Sequence, residues 1–372
     1  MAVVGTGLIG TSIGLSAVRH GLTVYLSDVN ESAAQTASAL GAGLLSTPAE
    51  PVDLAVLAVP PSRVPAVLIE KQLQGLANSY TDVASVKAWP ERELSYSSAD
   101  LSCYIGGHPL AGRERSGPLA ARGNLFDGRA WVLTPSSETS QDTLNRTLEL
   151  IAICGATPVL MGSEDHDRAV ALTSHAPHAV ASLMAARLQG SSRDAARLAG
   201  EGLRSVTRTA AGDPWLWSDI FHANAPAIAT VLEELRGDLT DLLTALRGAG
   251  ASDVDVERQS RTAIAELLGR GIDGLSEVQQ GAHDIPVGRV RIRVDVDDTP
   301  GELARLLAAL AEFGIGVEDI ALENPAGSGL SVELRVSPAI VDQVSQKLAA
   351  HGWSAGPAYS VTMVALPTAG RL

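Results

Sequence analysis

Over roughly residues 1–160, short β-branched runs alternate with stretches of helical periodicity, the pattern of a parallel sheet with crossover helices. The runs predict strands at Ala2 to Val4, Thr23 to Ser27, Leu54 to Val59, Tyr80 to Val83, Tyr104 to Gly106, Ala130 to Thr134 and Pro158 to Met161. From about Glu164 to Asp284 the spacing becomes Ala- and Leu-rich and helical, which predicts an all-helical domain. A boundary follows at His283-Asp284-Ile285-Pro286, because a proline pushes the residue before it out of the α region. Valine and isoleucine then alternate with charge from Arg289 to Asp297. A helix from about Glu302 to Phe313, strands at Gly316 to Glu323 and Leu330 to Val336, a helix at Ala339 to His351 and a strand at Tyr359 to Val364 complete a βαββαβ order. That order is the ferredoxin-like arrangement.

One glycine motif gives the first segment its chemistry. Gly5-Thr6-Gly7-Leu8-Ile9-Gly10 follows a strand and opens a helical pattern, the context in which GxGxxG binds a dinucleotide. Gly5 suits a tight turn, Gly7 a close approach to pyrophosphate, and Gly10 tight packing of helix on sheet. Asp28 stands at the end of the second strand, where a carboxylate accepts bonds from a ribose diol and repels a 2′-phosphate. No Lys or Arg follows in Val29-Asn30-Glu31-Ser32, so NAD is expected rather than NADP. The ordinary alternative for Asp28 is a helix cap. Val59 and Pro60, at another strand end, are expected along the same groove. The predicted architecture is α/β, with a Rossmann domain at 1–162, a helical substrate and dimerisation domain at 163–285 and a ferredoxin-like domain at 286–372.

Composition narrows the partners. A chain of 372 residues exceeds one usual core, and its formal charge of −14 opposes the phosphate contacts that nucleic-acid binding needs. An anionic substrate must then be held by a few local cations. No apolar run approaches the roughly 18 residues of a membrane span. The two cysteines, Cys103 and Cys154, form no CxxC, and Met1 leads straight into apolar residues without a basic leader. A cytoplasmic protein with free thiols is expected.

Polar clusters fall at strand and helix ends. Ser85, in Asp82-Val83-Ala84-Ser85-Val86-Lys87, is expected near the nicotinamide end, with a helix N-cap as the alternative. His108, in Gly106-Gly107-His108-Pro109-Leu110-Ala111-Gly112, is expected in a rigid loop, where an imidazole can take a proton from a hydroxyl. In Ser174-His175-Ala176-Pro177-His178, Ser174 and His178 are expected on one helix face, and Pro177 is expected to distort the helix near Thr173. Glu164, Asp165, His166 and Asp167 raise a metal site, but no recognised ligand spacing supports one, and no metal is expected. Arg208, with Trp217 nearby in Asp213-Pro214-Trp215-Leu216-Trp217, is the candidate clamp for a carboxylate.

These segments together resemble the prephenate and arogenate dehydrogenases of tyrosine biosynthesis, over almost the whole chain: the GLIGTS start, DVASVK, GGHPLAG, SHAPH, TR with DPWLW, and a C-terminal unit similar to an ACT domain. The resemblance implies NAD-dependent oxidative decarboxylation of prephenate to 4-hydroxyphenylpyruvate, or of arogenate to tyrosine. It implies His108 as general base, Ser85 as its companion at the substrate hydroxyl, and Arg208 on a carboxylate, with Ser174, His178 and Trp217 lining the pocket. It also implies a homodimer, for which the helical stretch from Asp213 to Leu246 is long enough. The segment Arg204-Ser205-Val206-Thr207-Arg208 lacks the acidic residue that some members carry shortly before this arginine. Asp298, Pro300 and Gly301, in DTPGEL, are the expected site of an aromatic amino-acid effector. Two other readings remain: a β-hydroxy-acid dehydrogenase, disfavoured because the Glu164 to Leu203 stretch has no lysine, and a non-catalytic NAD and amino-acid sensor.

Overall fold

The computed structural model describes residues 1–111, 116–190, 197–284, 290–296, 299, 302–313, 315, 320–323, 330–336, 341–354 and 359–360. Gly112, Ile285, Pro286, Asp298, Pro300, Gly301 and the outer parts of several expected C-terminal elements lie outside these residues. The chain divides into two compact units, Met1–Gln280 and Gly281–Leu372.

The first unit is built on a seven-stranded sheet of order β2-β1-β3-β4-β5-β6-β7. Its strands are β1 (Ala2–Val4), β2 (Tyr25–Ser27), β3 (Val52–Leu57), β4 (Ala77–Asp82), β5 (Tyr104–Pro109), β6 (Ala130–Thr134) and β7 (Thr157–Leu160). Helices α1 (Leu8–Arg19), α2 (Glu31–Ala39), α3 (Val64–Leu73), α4 (Ala88–Ser95) and α5 (Gln141–Ile153) cover it. Both faces of the sheet are covered at its centre, and β1 and β6 are apolar along almost their whole length. Val3 and Val56 belong to one apolar layer with Ile13, Trp131 and Ile151, while their neighbours Val4 and Leu57 belong to a second layer with Leu68 and Leu94.

Every pairing in this sheet is parallel except β5 with β6, which is antiparallel from Gly106↔Thr134 to Pro109↔Trp131. The fully parallel sheet expected from the sequence is corrected at this point. Between β5 and β6 the described residues form only a short 3-10 turn, Pro118–Ala120, rather than a crossover helix. The antiparallel ladder also lengthens β5, so His108 sits on a strand opposite Val132 and not in a loop. Gly106 and Gly107 are required beside it: a Cβ on Gly106 would come within 2.5 Å of Thr134 Oγ1, and one on Gly107 within 2.7 Å of the Asp82 carbonyl oxygen.

After β7 the described part of the first unit is helical: α6 (Ser163–Val170), α7 (Ala176–Ala186), α8 (Glu201–Arg208), α9 (Pro214–Ala223), α10 (Ala225–Gly248) and α11 (Val254–Asp284) up to Gln280. A π-helical turn at Ala171–His175 joins α6 to α7. Pro177 has no N–H to donate to Thr173, and the widened turn absorbs the missing bond. Exposed leucines 235, 239, 243 and 246 form an apolar stripe on α10, and Leu268, Ile272, Leu275 and Val278 form another on α11. No helix among the described residues is long and apolar enough to cross a membrane.

The second unit has its own core, with Ile292, Val294, Leu306, Leu310, Val332 and Leu348 fully buried. Strands β8 (Val290–Val296), β9 (Ile320–Glu323), β10 (Leu330–Val336) and β11 (Tyr359–Ser360) form an antiparallel sheet of order β11-β8-β10-β9, with helices α12 (Glu302–Glu312) and α13 (Val341–Ala350). Arg305 of α12 binds Glu302, lies 4.1 Å from the Trp353 ring centroid and donates to the carbonyl of His351, which pins the first helix to the end of the second.

Candidate active site

The glycine loop leaves β1 where the strand order reverses, with β2 on one side and β3 on the other. In such sheets ligands bind at the reversal, off the carboxyl ends of the strands. Gly5 has φ +99°, and a Cβ there would lie 2.2 Å from the Ala58 carbonyl oxygen; one on Gly10 would lie 2.0 Å from the Gly5 carbonyl oxygen. A Cβ on Gly7 would meet nothing within 4 Å. The first and third glycines therefore make the fold possible, and the second leaves an open backbone face. Helix α1 starts at Leu8 without a side-chain cap, so the N–H groups of its first turn, Ile9 and Gly10 included, face an anion site.

Asp28 is fixed beside this loop. Its carboxylate accepts from Thr6 N at 2.6 Å, Thr6 Oγ1 at 2.9 Å and Asn30 N at 2.8 Å. The cap of α2 is Asn30, whose side chain accepts from Ala33 N, and Asp28 is left to face the loop. Val59 and Pro60 lie between β3 and a 3-10 turn at Pro61–Arg63. The loop, its helix and Asp28 fit a dinucleotide with a free ribose diol.

The second group centres on His108. Its Nδ1 lies 2.8 Å from His166 Nε2, and His166 Nδ1 lies 2.7 Å from Asp167 Oδ1. Asp167 also accepts the backbone N–H groups of Lys87 at 2.8 Å and Ala88 at 2.9 Å, closing the N-terminus of α4 from the helical side. Ser85 is half-buried in the bend just before; Lys87 takes the N-cap position, so the alternative reading of Ser85 as a cap does not hold. Behind β5, the buried Lys87 ammonium binds Asp82 and donates to the Gly107 carbonyl at 2.6 Å, while Tyr104 Oη donates to Asp82 at 2.6 Å. Burial first, then His166, Lys87 and His175, hold His108 well below the usual histidine range. The shift favours the neutral form of the imidazole.

The third group lies on the helices. His178 stacks on Trp217, with ring centroids 3.5 Å apart and planes 8° apart, and His175 meets the same indole edge-on at 6.1 Å. A Cβ on Gly212 would strike Trp217 Nε1 at 2.1 Å, so a glycine there lets the indole lie flat. Ser174 is exposed on the π turn, and the ring that joins His178 against Trp217 is His175. Asn224 Nδ2 bridges the Asp167 carbonyl at 2.9 Å and His175 Nδ1 at 3.1 Å. Burial, against the opposing charge of Asp167 and helped by His166 and His178, lowers His175 to about 4. With Nδ1 accepting, the proton of His175 is on Nε2, a buried atom without a partner among the described residues. Burial also lowers His178, against an opposing bond to the Thr209 backbone. Arg208, exposed at the end of α8, immediately precedes Thr209.

Sequence reasoning passed over His166, Asp167, His175, Asn224 and Lys87. His166 and Asp167 were visible only as possible metal ligands, yet among the described residues no group of three or more His, Cys, Asp or Glu is arranged to hold a metal ion.

Residues 13–160 match the family model described as prephenate dehydrogenase, nucleotide-binding domain, and residues 162–260 the one described as prephenate dehydrogenase, dimerization domain. A probable prephenate dehydrogenase of Streptomyces niveus, NovF, is 41% identical over 95% of this chain and 98% of its own length. The chain belongs to the prephenate dehydrogenase family. Among solved structures of similar fold is the Aquifex aeolicus prephenate dehydrogenase in complex with hydroxyphenyl propionate and NAD+, with 26% identity, a TM-score of 0.60 and coverage of 76% of this chain and 97% of that one. The Synechocystis arogenate dehydrogenase gives 28% identity and a TM-score of 0.57, over 74% of this chain and 99% of that one. The His108 strand falls within the nucleotide-binding segment of this family, and His166, His175, Arg208 and Trp217 within its dimerization segment.

Proposed function

We propose that this chain is an NAD-dependent prephenate dehydrogenase that oxidises and decarboxylates prephenate to 4-hydroxyphenylpyruvate. The observation that carries the reading is the imidazole of His108, its Nδ1 2.8 Å from His166 Nε2, in the same compact unit as a built dinucleotide cradle. Family membership and the NAD+ complex of the Aquifex relative support it. When bound, NAD accepts the hydride lost by the carbinol carbon.

His108 takes the proton of the ring hydroxyl as that carbon is oxidised. The bond to the ring carboxylate then breaks, carbon dioxide leaves, the electrons of that bond complete the aromatic ring, and the ring oxygen takes back the proton to give the phenol. Aromatisation drives the reaction, so the protein mainly has to align its substrate and remove one proton. Arg208 holds a substrate carboxylate, Ser85 meets the hydroxyl beside His108, and Ser174, His178 and Trp217 line the pocket. His175 adds its unpartnered Nε2–H to the same wall.

The chain is organised as an NAD domain at 1–162, a helical substrate and dimerisation domain at 163–285 and an ACT-like, ferredoxin-like domain at 286–372. The βαββαβ order and the β11-β8-β10-β9 sheet support the last of these, and Asp298, Pro300 and Gly301 would receive an aromatic amino acid such as tyrosine. The exposed leucine stripes of α10 and α11 support a homodimer. Two unpaired thiols fit a cytoplasmic setting.

The Synechocystis likeness favours a second reading, in which arogenate is oxidised directly to tyrosine. Mixing the protein with NAD and either acid, and following absorbance of the reduced cofactor, tests both. Turnover with prephenate and little with arogenate is expected; the reverse preference selects the second reading, and no turnover with either removes both.

A further inference from the structure

The orientation of His108 is set by groups that never meet the substrate. Asp167 Oδ1 and Oδ2 are acceptors only, already taking the N–H groups of Lys87 and Ala88. His166 Nδ1, 2.7 Å from Oδ1, must therefore be the protonated nitrogen of that ring. A neutral His166 then has a bare Nε2, and the atom 2.8 Å away, His108 Nδ1, must donate to it. The remaining nitrogen of His108, Nε2, is left with its lone pair. From this chain of donors and acceptors we infer that His166 and Asp167 are positioning residues: they lock His108 in the Nδ1–H tautomer and so make Nε2 the base. The inference rests on the reading of His108 as the proton acceptor.

The arrangement also gives the proton a resting place. When His108 Nε2 accepts a proton, its Nδ1–H can pass to His166 Nε2, leaving the positive charge on His166 beside the Asp167 carboxylate. Each nitrogen gains or loses one proton and nothing else is required. A weakly basic His108 can thereby work without holding the charge itself.

Steady-state kinetics of the full chain on four variants, His108→Asn among them, test this. His166→Phe keeps a flat ring but removes the acceptor; kcat is expected to fall on the order of 100-fold, with KM and NAD affinity within about threefold. In His166→Gln the amide oxygen can accept from His108 and the amide nitrogen can donate to Asp167, so the tautomer is restored. It is expected to regain about tenfold in kcat over the phenylalanine variant and to move the acid limb of the kcat/KM profile relative to wild type. The third variant combines His166→Phe with His108→Asn. If His166 acts through His108, His166→Phe adds no further loss once His108 is already asparagine. A His166→Phe enzyme within threefold of wild-type kcat overturns the inference, as does a glutamine variant no better than phenylalanine, or a full additional loss in the His108→Asn background. Failure of the underlying reading looks different: His108→Asn alone would then turn over at near the wild-type rate.

Discussion

Burying Lys87 strips its ammonium of water, which lowers its pKa despite the attraction of Asp82. Removing one partner from such a pair leaves the other charge uncompensated, and Lys87→Met is expected to cost about 3–5 kcal/mol in denaturant unfolding. Asp28 invites a cleaner functional test. Asp28→Ala removes the acceptor for the ribose diol and the repulsion of a 2′-phosphate, so NAD affinity should fall and the preference over NADP should narrow; unchanged selectivity in titrations with both cofactors contradicts the assignment. His175 gives a pH prediction. Its native value of about 4 lies below the ordinary 6.5, so between them the unfolded chain binds a proton that the native one refuses. Stability therefore rises with pH through that window and is lost as pH falls towards 4, by about 3 kcal/mol at most. His108, shifted the same way, adds to the trend. Urea midpoints measured from pH 7 to 4 should fall, and His175→Gln should flatten the slope.

Among the elements, what could be read from the sequence was what is encoded locally. The glycine loop, β1, β6 and the Asp28 neighbourhood fall where the sequence predicts, because a turn, a helix start and a strand end are written in adjacent residues. His108 was found as a chemical group but placed in a loop, because β5 extends through it only by pairing with β6, more than twenty residues on. The partners of His108 were out of reach for the same reason: His166 stands 58 positions away in sequence, and Lys87 meets Asp167 across 80. Nothing near His166 in the chain distinguishes an imidazole relay from a cluster of solvated acids. The π turn is the element most open to manipulation. Pro177→Ala returns the missing N–H donor and should let the turn tighten towards regular helix. Thermal stability is expected to hold or rise, while kcat falls as His175 and His178 shift against Trp217; a variant with unchanged kcat would detach the turn from the chemistry.

At the level of the whole molecule, the leucine stripes and the second unit carry separate expectations. Leu239→Glu with Leu243→Glu places two carboxylates on the exposed stripe of α10, and light scattering after size exclusion should show a dimer become a monomer. A dimer that survives both substitutions moves the interface elsewhere. The Asp167 carboxylate that steadies the first turn of α4 also holds the ring behind His108. One carboxyl group thus serves both as mechanical fastener and as part of the proton path. A slight parting of α6 from α4 and β5 on warming would cut that path while every strand and helix stayed formed, so heat should silence this enzyme several degrees before it melts it.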